Sequence, residues 1–425
     1  MPGSRRTVLT GVGLITPLGL DLAAFWAALR DGRGGVRRVS SFEPAALPTS
    51  FGGEVRDFDP KNYVEKKDRK RLNQMVRTVQ FAVAAARLAL EDGAVGRDGI
   101  DPERCGVALG TSTIPGELAD LGPAAQATVR PGDERAAMRR LGADGLPLIA
   151  PTWMLGHVPN MPASYVSILN DLRGPNNTIT QTDVAGLLAV AEARRTVARG
   201  RADLMLAGGA DAKINPVTLV RHCLFSELSR RHDDPARACR PFDRQRDGTV
   251  VGEGGGAVLV EELDHARRRG ARIYAEVVGC GAAFDRGRTG HGLARAVRIA
   301  LAEAGVGPDK LDHVNAQGYG TRAGDVWEAR GLQEVLGGRP VPVFAAKGYF
   351  GNLGPAAGAV ELSASLLAQE HGLLPATLNC DEPDPECPVA VSREPRRVER
   401  PYFLKVGCTE LGQCAAVVCR RWEGA

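Results

Sequence analysis

The sequence predicts an α/β protein built from two similar halves with buried sheets, and three observations carry that expectation. Short apolar runs of strand character alternate with stretches whose apolar residues recur at helical spacing. The chain has 425 residues, more than one simple core accommodates. A helix, a glycine stop and a strand also recur. Arg87-Leu88-Ala89-Leu90-Glu91-Asp92-Gly93 precedes a strand near Cys105, and Arg298-Ile299-Ala300-Leu301-Ala302-Glu303-Ala304-Gly305 precedes one near Asp312. The charged stretch Glu261–Arg272 separates the repeats, so the expected division is residues 1–262 and 263–425.

Each element has a local reason. Val8-Leu9-Thr10-Gly11-Val12-Gly13 reads as a strand, Pro17 turns the chain, and Ala23–Leu29 forms a helix. From Gln74 to Glu91 the apolar positions follow a helical period that stops at Gly93. Val107–Gly110 reads as a buried strand. Asn177–Gln181 is another, followed by a helix over Val184–Ala198 and a strand over Asp203–Ala207. In Gly116–Leu148, Gly and Pro interrupt short helices. Two readings stay open there: a cover over a partner or pocket in a two-fold assembly, or a surface insertion.

Composition narrows the class. Hydrophobic residues make up 44% and charged residues 24%, as in an ordinary soluble globular protein. A net charge of +4 lacks the basic field of a nucleic-acid binder. No apolar stretch approaches a membrane span, and the N-terminus enters a strand-like run at Thr7-Val8-Leu9 without a signal-peptide core. These features imply a cytoplasmic protein. The nine Cys are odd in number and lack framework spacing, which implies reduced thiols. Cys380/Cys387 and Cys408/Cys414/Cys419 have neither paired CxxC spacing nor a nearby His, so no metal site and no cofactor are expected.

Several motifs appear in order. Gly174-Pro175-Asn176-Asn177-Thr178-Ile179-Thr180-Gln181-Thr182-Asp183-Val184-Ala185-Gly186 runs from a strand into a helix, and Ala207-Gly208-Gly209-Ala210-Asp211 follows. Then come Arg240-Pro241-Phe242-Asp243, Arg246-Asp247-Gly248 and Gly252-Glu253-Gly254. Val314-Asn315-Ala316-Gln317-Gly318 and Lys347-Gly348-Tyr349-Phe350-Gly351-Asn352 complete the set, the latter leading to Gly358-Ala359-Val360-Glu361. This order resembles the β-ketoacyl-acyl carrier protein synthases of the thiolase superfamily over almost the whole chain. The resemblance implies a thiolase fold, two similar halves in a five-layered αβαβα arrangement.

The resemblance also implies an active-site framework from which this chain departs at three positions. In active relatives the position matching Asp183 is a Cys, where a helix N-terminus favours the thiolate. The positions matching Gln317 and Asn352 are His residues that assist decarboxylation and stabilise the enolate. Glu328 and Lys347 match charged residues kept near that site, and they are retained. Asp183 offers no equivalent nucleophile: an anion held near a helix N-terminus reacts poorly with a thioester, and attack would give a mixed anhydride. Its structural reading is a cap on the Val184 helix; its chemical reading is a base. Gln317 and Asn352 can donate hydrogen bonds but cannot exchange protons near neutral pH as imidazole does. The Phe-rich and Gly-rich gating loop of active relatives is replaced by Gly407-Cys408-Thr409-Glu410-Leu411-Gly412-Gln413-Cys414, without Phe and with an anion at Glu410. His157 and His291 read as surface or satisfied structural residues rather than replacement bases. Cys408, nearest the lost gate, has no accompanying His motif.

A condensing-enzyme scaffold without its nucleophile resembles the chain-length factor, the ketosynthase β subunit, of type II polyketide synthases, which often carries Gln where this chain has Asp183. The resemblance implies no catalytic residue of its own, an active ketosynthase subunit as heterodimer partner, and an acyl carrier protein docking on the complex. Lys66-Lys67-Asp68-Arg69-Lys70-Arg71 reads either as a surface for that acidic carrier or as a solvated helix face. The alternative is a homodimeric thiolase-fold enzyme with repurposed chemistry, an acyltransferase, cyclase or malonyl decarboxylase using Asp183 or Glu410.

Overall fold

The computed structural model describes residues 5–96, 99–114 and 116–424; Met1–Ser4, ahead of the first strand, lie outside the described residues. Two sheets with the same connectivity account for the architecture. The first comprises β1 (Thr7–Ile15), β2 (Cys105–Gly110), β3 (Asn176–Ile179), β4 (Leu204–Asp211) and β5 (Gly254–Glu262), in spatial order β3-β2-β4-β5-β1. The second comprises β6 (Ala275–Phe284), β7 (Leu311–Asn315), β8 (Pro342–Phe344), β10 (Tyr402–Cys408) and β11 (Gln413–Arg421) in the equivalent order β8-β7-β10-β11-β6. A short strand β9 (Ala390–Val391) is added at its edge. In each half three strands run parallel and two follow antiparallel. Among the described residues, the two sheets pair edge to edge at Val8↔Glu276 and Leu9↔Ala275.

Helices complete five layers. The helix α1 (Arg77–Asp92) covers the outer face of the first sheet, burying Val79, Phe81, Val83 and Leu90 with Val107 and Leu206 of the strands. Helices α3 (His291–Ala304) and α4 (Arg322–Leu336) cover the outer face of the second, where Leu293, Val297 and Leu332 pack on Val314 and Val406. Between the sheets lie α2 (Ala185–Ala198) and α5 (Ala357–His371). Their Leu187, Val190, Val360 and Leu362 share one core with Val258 of the first sheet and Val417 of the second. Residues 357–369 of α5 are all buried, as a helix sandwiched on every side must be.

The repeated helix noticed in the sequence is therefore α1 and α3, each capping the outside of its own sheet. Three boundaries differ from expectation. Residues Lys66–Gln74 form an exposed 3₁₀ helix, so α1 starts at Arg77 rather than Gln74. Strand β4 runs on to Asp211, because β5 pairs with it along its whole length. Thr182–Val184 makes a 3₁₀ turn before α2. The irregular segment contains helices over Leu118–Thr128 and Glu134–Arg140, and it leaves Leu118, Met138, Leu146 and Leu148 exposed. Among the described residues no helix is long and apolar enough to cross a membrane.

Candidate functional site

Three connections leave the carboxyl ends of parallel strands and converge where ligand crevices form in α/β proteins. The chain leaving β3 reaches Asp183, that leaving β7 reaches Gln317, and that leaving β8 reaches Lys347 and Asn352. Thr182 adopts φ 45°, a left-handed conformation that costs a β-branched residue about 1–3 kcal/mol. The strand-to-helix elbow is thus sharp, and it carries Asp183.

The expected helix cap is not formed. Neither the Thr182–Val184 turn nor α2 has a side-chain cap. The carboxylate of Asp183 turns instead to other partners. The Tyr319 hydroxyl lies 2.6 Å from its Oδ2, and Asn352 Nδ2 donates to its Oδ1 at 3.0 Å. Gly354 N–H donates to Asn352 Oδ1 at 3.1 Å, which fixes the amide with its NH₂ toward Asp183. Lys213 Nζ stands 4.0 Å from the same Oδ1 and 3.9 Å from Asp211 Oδ2. Burial alone would raise the Asp183 carboxyl, but Lys213, the Tyr319 hydroxyl, Lys347 and Asn352 outweigh it and hold the group below the ordinary carboxylate range. A carboxylate so committed is a weak base and a weak nucleophile.

The structure brings Asp183 and Asn352 together but not Gln317. Asp183 and Asn352 line a cavity of about 390 Å³ whose walls do not include Gln317. The Gln317 side chain is buried, with no hydrogen-bond partner for Nε2 among the described residues. Its backbone is well held: Gln317 N–H and Gly318 N–H donate to Glu328 at 2.6 and 2.8 Å, and Lys347 Nζ donates to Gln317 O at 2.9 Å. Lys347 also pairs with Glu361, which in turn pairs with Lys405, all three fully buried. Burial would lower the Lys347 ammonium, but Glu361 holds it up; the Glu328 carboxyl is raised by its burial. Glu328 and Lys347 therefore fix the turn that carries Gln317 and Tyr319, and neither lines the cavity.

Gly318 makes that turn possible. Its φ is 53°, and a Cβ there would lie 2.6 Å from that of Ala345. The turn delivers Tyr319, which sequence reasoning missed. Its phenol is buried, sits within reach of both Asp183 and the Cys408 carbonyl (2.9 Å), and is kept neutral by burial and the Asp183 charge. Lys213 and Asp211 were missed as well. Their signal in the sequence was faint: a bulky residue inside Gln-Gly-Tyr-Gly, and two charges of opposite sign at and just past a glycine-rich strand end. The Asp211 carboxyl is pushed up by burial and accepts from Ser112 Oγ at 2.9 Å.

The remaining candidates separate from the site. Glu410 is exposed at the cavity mouth, its carboxyl raised by burial of its inner face and by Asp183. The Cys408 thiol packs in the outer core of the second half, and burial pushes it well above the usual range. His157 pairs with Asp120 at 3.3 Å beside a different cavity, and exposed His291 pairs with Glu334. His222 lines the chamber, yet burial and the Lys213 charge pull it down to about 4, so it stays neutral near pH 7.

Known proteins match this arrangement along its length. The β-ketoacyl synthase N-terminal domain matches residues 4–266, and the β-ketoacyl synthase C-terminal domain residues 274–381. The chain belongs to the β-ketoacyl synthase family, and its fold is the five-layered thiolase fold. It is 35% identical over 389 residues to 3-oxoacyl-[acyl-carrier-protein] synthase 2 of Vibrio cholerae, covering 89% of this chain and 90% of that one. It is also 35% identical over 443 residues to the tetracenomycin polyketide synthase ketoacyl synthase alpha subunit of Streptomyces glaucescens, covering 99% and 98%. Among solved structures, the ishigamide ketosynthase/chain length factor superposes with a TM-score of 0.87 at 30% identity, covering 99% of this chain and 100% of that one. A type II PKS acyl-carrier protein in complex with its ketosynthase bound to the hexaketide gives a TM-score of 0.85 at 26% identity, with the same coverage. The chain is thus ketosynthase-like and related to the proteins of type II polyketide synthesis.

Proposed function

We propose that this protein is a catalytically inactive ketosynthase-like subunit, a chain-length factor, which pairs with an active β-ketoacyl synthase during chain elongation. The observation that carries the reading is Asp183. The elbow that would present a nucleophile holds an ionised carboxylate, tied down by Tyr319 and Asn352 and faced by Lys213. Gln317 and Asn352 supply no proton-exchanging group, and Glu328 and Lys347 serve the surrounding framework. Such a centre is tolerable if a partner subunit supplies the thiol. The similarity to a ketosynthase/chain length factor structure and to a ketosynthase–carrier complex supports both the pairing and docking of an acyl carrier protein.

Two surface features fit a partner. Strand β3 is the outermost strand of its sheet and leaves Asn176 and Asn177 exposed, an unpaired edge of the kind that proteins cover. Nearby in the chain, Met154, Leu155 and Ile168 are large apolar residues left in water. The exposed Lys66–Arg71 run offers charge for an acidic carrier. Within the chain, the division at 262/263 falls between β5 of the first sheet and β6 of the second, and we take it as the boundary of the halves.

Co-expression with an active ketosynthase from the same source tests the pairing. A one-to-one mixed dimer is expected; recovery of stable homodimers alone, with the ketosynthase present, would count against the assignment.

A further inference from the structure

Resting on the reading that the Asp183 elbow performs no acyl capture, we infer that its chamber is a recognition site for an acyl group carrying a ketone, with Lys213 as the residue that selects the ketone oxygen over a methylene. Lys213 is a cation whose donors are not taken up by the described residues. The Lys213 side chain is nine-tenths buried, yet its nearest carboxylate oxygens are 3.9 and 4.0 Å away, too far for hydrogen bonds. Among the described residues its three ammonium protons find no acceptor at bonding distance, and the residue lines the chamber. Its ammonium therefore faces the chamber with donors that no protein acceptor takes, free to bond an oxygen that enters and displaces solvent.

The surroundings define what that acceptor is. Asp183 is ionised, and Asp211 and Glu410 add further acidic groups around one lysine, so the chamber does not favour a second anion. A neutral carbonyl oxygen satisfies the ammonium without adding charge. Val251 and Pro355 give the walls apolar surface, while Phe225 and Leu411 at the mouth are 79% and 70% exposed. Oxygen inside and apolar surface outside suit a short keto-acyl group better than a plain alkyl chain or a free acid.

Two unreactive probes of equal length separate the possibilities: N-propyl-3-oxobutanamide and N-propylbutanamide differ by one ketone oxygen. Saturation-transfer NMR titration of the purified protein, or of its complex if it purifies as one, should show the keto compound binding about tenfold or more tightly, the factor expected for one charge-assisted hydrogen bond. Lys213→Met should abolish the preference. Should that variant not fold, acetylation of the wild-type protein by N-acetoxysuccinimide, read at Lys213 by mass spectrometry, should be slowed by the keto amide and not by the alkyl amide. Equal binding of the two amides, a preference that survives Lys213→Met, or acetylation of Lys213 indifferent to both would overturn the inference. None of these results depends on whether the chain forms a covalent acyl adduct, which bears on the parent reading alone.

Discussion

At the scale of single residues, the site centres on an anion held by donors. Asp183 has its carboxyl value lowered on folding, so its contribution to stability is complete above the unfolded value of about 3.9 and is lost as pH falls through the lower folded value. Asp183→Asn removes that charge. The new amide meets Asn352 Nδ2, whose orientation Gly354 fixes, and it weakens the hold on Lys213. The variant should be less stable than wild type by about 2 kcal/mol at pH 7, with the deficit shrinking below pH 4. Urea denaturation at the two pH values checks this; a deficit independent of pH would mean that Asp183 is not ionised by its partners. The motifs alone singled out Asp183, Gln317 and Asn352, of which the structure brings Asp183 and Asn352 to one cavity. Their partners were not singled out, because Tyr319 and Lys213 reach Asp183 through folding across 136 and 30 positions of sequence, and no local pattern encodes that meeting.

At the scale of elements, turns and edges carry the consequences. The Gln317–Tyr319 turn depends on a glycine in the left-handed region with no room for a Cβ. Gly318→Ala should cost about 1–3 kcal/mol in thermal or chemical denaturation and should withdraw the Tyr319 hydroxyl from Asp183. The edge strand makes a separate prediction. Thr178 N–H donates to the Asn177 side chain at 2.9 Å, whereas Val107 N–H donates to Pro175 O and Thr111 N–H to Ile179 O. The Thr178 amide therefore lies on the open side of β3. Thr178→Pro should leave the fold intact by circular dichroism and stop co-purification with a ketosynthase. A mixed dimer that persists would move the interface elsewhere. The helices and strands around these turns were largely readable from hydrophobic period and glycine stops. The start of α1 was not, since the basic run before it winds as a 3₁₀ helix that shares the same helical signature. The cap expected of Asp183 also failed, because tertiary donors outcompeted the local backbone amides.

At the scale of the molecule, two equivalent sheets enclose α2 and α5 in a shared core, and this rigid frame presents the strand ends at one crevice. Glu328, Lys347, Glu361 and Lys405 secure this frame from within, away from the chamber. The order of motifs sufficed to read the fold, since each marks a strand end that the topology gathers. The most direct test follows the acyl group through a working complex. With the co-purified ketosynthase, labelled malonyl-carrier protein and a primer, intact-protein mass spectrometry during turnover should find the acyl adduct on the partner's cysteine and none on this chain. An acyl adduct on this polypeptide would contradict the account.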